Sequence, residues 1–119
     1  GMPKTTPEEK QARSAAIQAA TLYASEVPLE TMRESMKAFE ICRAMAETGN
    51  PNSVSDAGVG ALAARAAVRG ASMNVRINAS SLKDKATAQR LIDEANTLAA
   101  KADAEEAAIS AIVDGKING

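Results

Sequence analysis

The chain has 119 residues, 45% of them hydrophobic but only 2% aromatic, and carries a net charge of −1 with a pI near 5.5. That length fits one domain, and the charge balance lacks the basic excess that phosphate backbones require, so nucleic acid is excluded as the main partner. With Cys42 the only cysteine and no histidine, an internal disulfide, cysteine-rich metal sites and imidazole zinc sites are excluded as well, and no metal is expected.

Alanine dominates the apolar residues, which favours helices but adds little burial per residue. Val, Ile and Tyr never gather into alternating runs, so a sheet is not expected. The predicted fold is all-α: three or four long antiparallel helices packed as one bundle over residues 1–119, with a second copy supplying the burial that a single chain lacks. No stretch is long and apolar enough for a membrane span and no signal peptide is visible, so a reducing cytoplasmic setting is expected. Gly1 before Met2 reads as the scar of a cleaved tag, which leaves Met2 as the assigned start.

Residues 1–5 are expected to form a loose leader. Thr6-Pro7-Glu8-Glu9 then reads as a helix start, with Thr6 as N-cap and Glu9 placed for a capping box. The pattern runs to about Glu47, with Pro28 expected to bend or break it near Ser25. Leu29, Met32, Met36, Phe39 and Ile41 fall largely on one side as core, Cys42 among them. Gly49 and Asn50-Pro51 end the run. A second helix spans about Ser53 to Ser80, uncharged from Ala57 to Ala64, with Gly58, Gly60, Ala61, Ala64, Ala67 and Ala71 open to close helix approach. Arg65, Arg69 and Arg76 form one wet stripe along it. A third helix, from about Leu82 to Val113, repeats Leu91, Ala95, Leu98, Ala102, Ile109 and Ile112 near a 3.5-residue spacing. Arg90–Glu94 and Lys101–Glu105 are expected as i,i+4 pairs on its outer face, and residues 114–119 as a frayed tail.

The strongest local signal is Asn50-Pro51-Asn52-Ser53-Val54-Ser55-Asp56. Structurally it reads as a turn plus cap, with Ser53 capping and Asp56 complementing the helix dipole. Functionally it puts a carboxylate beside backbone N–H groups at a helix start, where polar ligands bind. Asn74 and Asn78 follow Asp56 by 18 and 22 residues and return close to its face. They either fix packing or orient a polar ligand. At 1.5 Å per residue Asp56 and Asn74 lie about 27 Å apart, so only a symmetry mate could join them in one site.

The run from Gly49 to Val59, with Ala66-Ala67, Gly70-Ala71, Asn74-Val75-Arg76-Ile77-Asn78 and Ser81-Leu82-Lys83-Asp84, resembles the formiminotransferase-cyclodeaminase family. The upstream stretch from Pro3-Lys4 to Pro28-Leu29 is similar too. The resemblance implies an all-helical, usually dimeric fold and chemistry on formimino- or methenyl-tetrahydrofolate, with the folate as substrate and no separate cofactor. It points to Asp56 as the proton-transfer residue, to Asn52, Ser53, Ser55, Asn74 and Asn78 as polar groups of the pocket, and to Arg76 and Lys83 for the glutamate tail. The chain departs from the family in lacking the upstream glycine-rich loop and alanine-rich helix, which are expected to build one wall of the pocket. Met2 is then an internal methionine or the start of a disrupted gene. The alternative to an enzyme is a truncated helical assembly module without turnover.

Overall fold

The structure, a computed structural model, describes residues 6–119; the expected leader at 1–5 lies outside the described residues. Three helices follow one another, α1 (Pro7–Thr48), α2 (Pro51–Ala79) and α3 (Lys85–Asn118), with no strand among the described residues. Thr6 caps α1, its hydroxyl accepting from the Glu9 N–H at 3.1 Å. The short connections make neighbours antiparallel, and the result is an elongated three-helix bundle 77 × 24 × 18 Å in extent.

α2 runs between its two neighbours. Its buried line, Val54, Ala57, Ala61, Ala64, Val68, Val75 and Ala79, meets Leu29, Met32 and Phe39 of α1 and Leu91, Ala95 and Ile109 of α3 in one core cluster. The small residues do what their spacing predicts. A methyl group added at Gly60 would come within 2.9 Å of Cys42 Sγ on α1, and one at Gly58 within 3.4 Å of Val113 on α3. The core expectations hold for α3 as well, with Leu91, Ala95, Ala102 and Ile109 buried and Leu98 and Ile112 packed against them.

Several expectations are corrected. Pro28 does not break α1, which continues for 42 residues. Proline removes the N–H that would bond the carbonyl four residues earlier, here Ala24. The Asn78 side chain of α2 donates its Nδ2 to that carbonyl at 3.0 Å, so the acceptor is satisfied from outside the helix. Ser25 and Thr31 also bond back to carbonyls one turn earlier, spreading the accommodation over neighbouring turns. Ile41 is 65% exposed and leaves the core set, because it lies on the far side of α1 from Phe39 and Cys42.

Other corrections concern ends and pairs. α3 starts at Lys85, capped by Asp84, whose carboxylate accepts from the Thr87 N–H at 3.1 Å; Leu82 is buried in the connection instead. Residues 114–119 do not fray. The helix continues to Asn118, and Lys116 donates to the carbonyl of Glu47 at the end of α1. The charged residues of α3 reach across rather than along it: Glu94 takes two hydrogen bonds from Arg33 of α1, at 2.6 and 2.9 Å, and Glu105 pairs with Arg43 of α1 at 3.4 Å.

The Asn78–Ala24 contact generates a test. Asn78→Ala should destabilise the chain by about 1 kcal/mol, because a carbonyl is left without a donor. With Pro28→Ala the helix regains its own N–H, so adding Asn78→Ala in that background should cost close to nothing. Thermal melts of the four variants measure the coupling; equal costs in both backgrounds would contradict the contact.

Candidate functional site

α2 carries polar groups at each end. At its start the cap is Asn50, not Ser53: the Asn50 side chain accepts from the Ser53 N–H at 3.0 Å, and the helix begins with Pro51. This correction moves Asp56 out of the first turn, so it takes no part in the cap. Asp56 is exposed, as are Asn52 and Ser55, while Ser53 is half-buried. The carboxylate therefore stands on the second turn of a capped, rigid helix without the structural duty that its position in the sequence implied.

The far end of α2 holds the other predicted residues. Asn74 and Asn78 line an open groove of about 450 Å³ between α1 and α2, whose walls are Ala24, Val27, Pro28, Thr31, Ala67 and Ala71. Asn78 is committed through its NH₂ to the Ala24 carbonyl, which leaves its own carbonyl oxygen as an acceptor. Asn74 is exposed beside it. Arg76 folds back towards the Ser72 carbonyl at 3.4 Å. Lys83 ties the connection after α2 to α1: its N–H donates to Gln18 Oε1 and its Nζ to Ser14 Oγ, both at 2.8 Å. Ser14 and Gln18 were not foreseen. Nothing in their surroundings marks them, since their partner is 69 and 65 residues away.

The structure thus brings Asn74, Asn78, Arg76 and Lys83 to one end and Asn52, Ser53, Ser55 and Asp56 to the other. Within one chain they do not meet. Eighteen residues of helix separate Asp56 from Asn74, about 27 Å.

The arginine stripe divides as well. Arg65 and Arg69 both bond Asp103 of α3, Arg65 Nε at 2.8 Å and Arg69 Nε at 3.0 Å, while Arg76 takes no part. Hydrogen bonds from Arg69 and then Arg65 hold the Asp103 carboxyl well below the usual carboxylate range. The Arg33 hydrogen bonds lower Glu94 despite partial burial, and the Thr87 N–H and hydroxyl lower Asp84. These groups fasten helices and caps; they do not line the groove.

All three carboxyls have lower pKa values folded than unfolded. Their stabilisation is complete above the unfolded values, near pH 4, and is lost as pH falls below them towards each folded value. Urea midpoints should therefore be level from pH 7 to about 5 and drop steeply below pH 4. Asp103→Asn should be less stable at pH 7 and show a shallower acid decline; an unchanged decline would contradict the assigned role.

Comparison with known proteins adds a second line of observation. A family model described as formiminotransferase-cyclodeaminase matches residues 1–97. A methenyltetrahydrofolate cyclohydrolase of Methylorubrum extorquens is 42% identical over 118 residues, covering 99% of this chain and 57% of the relative. A formimidoyltransferase-cyclodeaminase of Rattus norvegicus is 33% identical over 106 residues, 83% of this chain and 20% of that protein. One of Gallus gallus is 37% identical over 84 residues, 71% of this chain and 16% of that protein. The chain spans little more than half the length of the bacterial relative and a fifth or less of the vertebrate ones.

Proposed function

Because this chain belongs to the formiminotransferase-cyclodeaminase family, we propose that it serves folate one-carbon metabolism, as part of a methenyltetrahydrofolate cyclohydrolase. The observation that carries the reading is Asp56. It is an exposed carboxylate, released from capping by Asn50, within a polar block on a rigid helix, in a chain without a histidine. Opening the methenyl bridge requires water to add to an electrophilic carbon and lose a proton. Asp56 is the base that takes it. Asn52, Ser53 and Ser55 are the polar groups of the same end, and they orient the water or the substrate.

The groove at the other end suits the rest of the molecule. A pterin is flat, with faces that stack on apolar walls and hydrogen-bonding groups along its edge. Ala67, Ala71 and Val27 give it apolar walls, while the Asn74 amide and the Asn78 carbonyl oxygen meet the edge. Arg76 and Lys83 serve the anionic glutamate tail. The working form is a homo-oligomer in the reducing cytoplasm, with the folate as substrate and no cofactor of its own.

A second reading is deamination of a formimino-folate. The rat and chicken relatives, whose names include cyclodeaminase, favour it. The same base and groove would serve. The greater similarity to the bacterial relative, 42% identity over 99% of this chain against 33% over 83% and 37% over 71%, favours the cyclohydrolase.

The test follows methenyl absorbance in the longest natural protein that contains this chain. Asp56→Asn should lower the rate at least tenfold, about 1.4 kcal/mol of barrier, with the melting temperature almost unmoved. An Asp56→Asn protein as active as its parent would remove Asp56 from the chemistry.

A further inference from the structure

The face that α1 turns to its neighbours changes chemistry along the helix. From Leu29 onward it is apolar, with Leu29, Met32, Phe39, Cys42 and Ala46 buried. Before Ser25 no residue of the helix is buried, and the half-buried positions are Ser14, Gln18, Thr21 and Leu22. Three of these four are polar, and the Thr21 hydroxyl is spent on the Ile17 carbonyl of its own helix at 2.8 Å. Among residues 7–24, Leu22 alone packs against the core cluster.

Residues 7–24 are therefore held on the bundle mainly by polar contacts. Lys83, in the connection after α2, donates its N–H to Gln18 and its Nζ to Ser14, both at 2.8 Å. Asn78 donates to the Ala24 carbonyl at 3.0 Å. Each of these bonds is exposed to water and adds little to stability. A segment with few buried apolar contacts and exposed hydrogen bonds opens at a fraction of the cost of global unfolding.

Pro28 fixes where that opening occurs. It removes the helical donor to Ala24, and the hydroxyls of Ser25 and Thr31 bond back to carbonyls on either side, a pattern that weakens and bends helices. The buried apolar line begins directly afterwards, at Leu29. The weakest turn of α1 thus lies at the boundary between its polar-faced and its apolar-faced halves.

We propose that residues 7–24 form a hinged arm that turns about Pro28, and that Asn78 and Lys83 are the latches that hold it against the bundle. The arm is about 27 Å long, so a turn of about 30° at the hinge moves its tip by about 14 Å. The groove is part of the device. Ala24 and Asn78 are both among its walls, so undocking the arm breaks the bond between two of them and opens the groove on that side. A ligand that needs both walls binds the docked form better and shifts the arm towards it. This consequence rests on the functional reading above; the hinge and its latches rest on burial and hydrogen bonding alone.

The test needs no folate, so its outcome is separate from that reading. Backbone hydrogen exchange should run at least tenfold faster in residues 11–24 than in residues 32–46 of the same helix. Spin labels at Gln11→Cys on the arm and Thr97→Cys on α3 report where the arm stands. They are read in a Cys42→Ala background diluted with unlabelled chain, so that only pairs within one copy are seen. The parent should give one narrow distance distribution. Asn78→Ala together with Lys83→Ala should broaden it by more than about 10 Å. Adding Pro28→Ala should narrow it again, because the helix regains its bond across the hinge. If the latch variant fails to fold, exchange in the parent decides. Equal exchange in the two segments, a distribution unmoved by loss of both latches, or a broadening that persists with Pro28→Ala would each overturn the proposal.

Discussion

A helix as rich in small apolar residues as α2 has to be packed closely on both flanks, and it sets that requirement for the whole chain. Its 29 residues include only four charged side chains, Asp56, Arg65, Arg69 and Arg76. α1 covers one flank and α3 the other, each brought close by residues with little or no side chain, Gly60 against Cys42 and Gly58 against Val113. The guanidiniums of Arg65 and Arg69 are drawn to the α3 side by Asp103, which clears the outer face of charge. What remains uncovered is a third, apolar side. Alanine-rich packing buries little area per residue, so the bundle depends on close approach along its whole length.

Pro28 shows how one helix depends on another. Alone, α1 would have a carbonyl without a donor at Ala24 and a kink to follow. Asn78 supplies the donor from α2, and α1 runs on to Thr48, where Gly49 and Asn50 turn the chain into α2. One amide thus satisfies the carbonyl that Pro28 leaves without a helical donor, at a groove that Asn78 also lines.

Helix number, the Thr6 cap, the core periodicity of α3 and the close approach along Gly58 and Gly60 were legible because each depends on residues a few positions apart. The fate of Pro28, the destinations of Glu94 and Glu105 and the order of residues 114–119 were not, because each is decided by a partner 54 to 69 residues distant. The cap at Asn50 was missed for a subtler reason. Asn50 and Ser53 are both good N-caps, and the choice turned on Pro51, which is well suited to the first helical position. The candidate site residues were named from the sequence, and their separation into two ends followed from helical rise alone. The neighbours of Lys83, and the size and walls of the groove, required three dimensions.

The close fit of α2 against its neighbours is the central claim, and two glycines of α2 report on it directly. A methyl group at Gly60 would stand 2.9 Å from Cys42 Sγ of α1, whereas one at Gly70 would meet nothing within 4 Å. Urea melts of the two alanine variants compare these positions. The account predicts that Gly60→Ala lowers stability by about 1–3 kcal/mol, while Gly70→Ala raises it by up to about 1 kcal/mol. Gly60→Ala stabilising the chain as much as Gly70→Ala would contradict it.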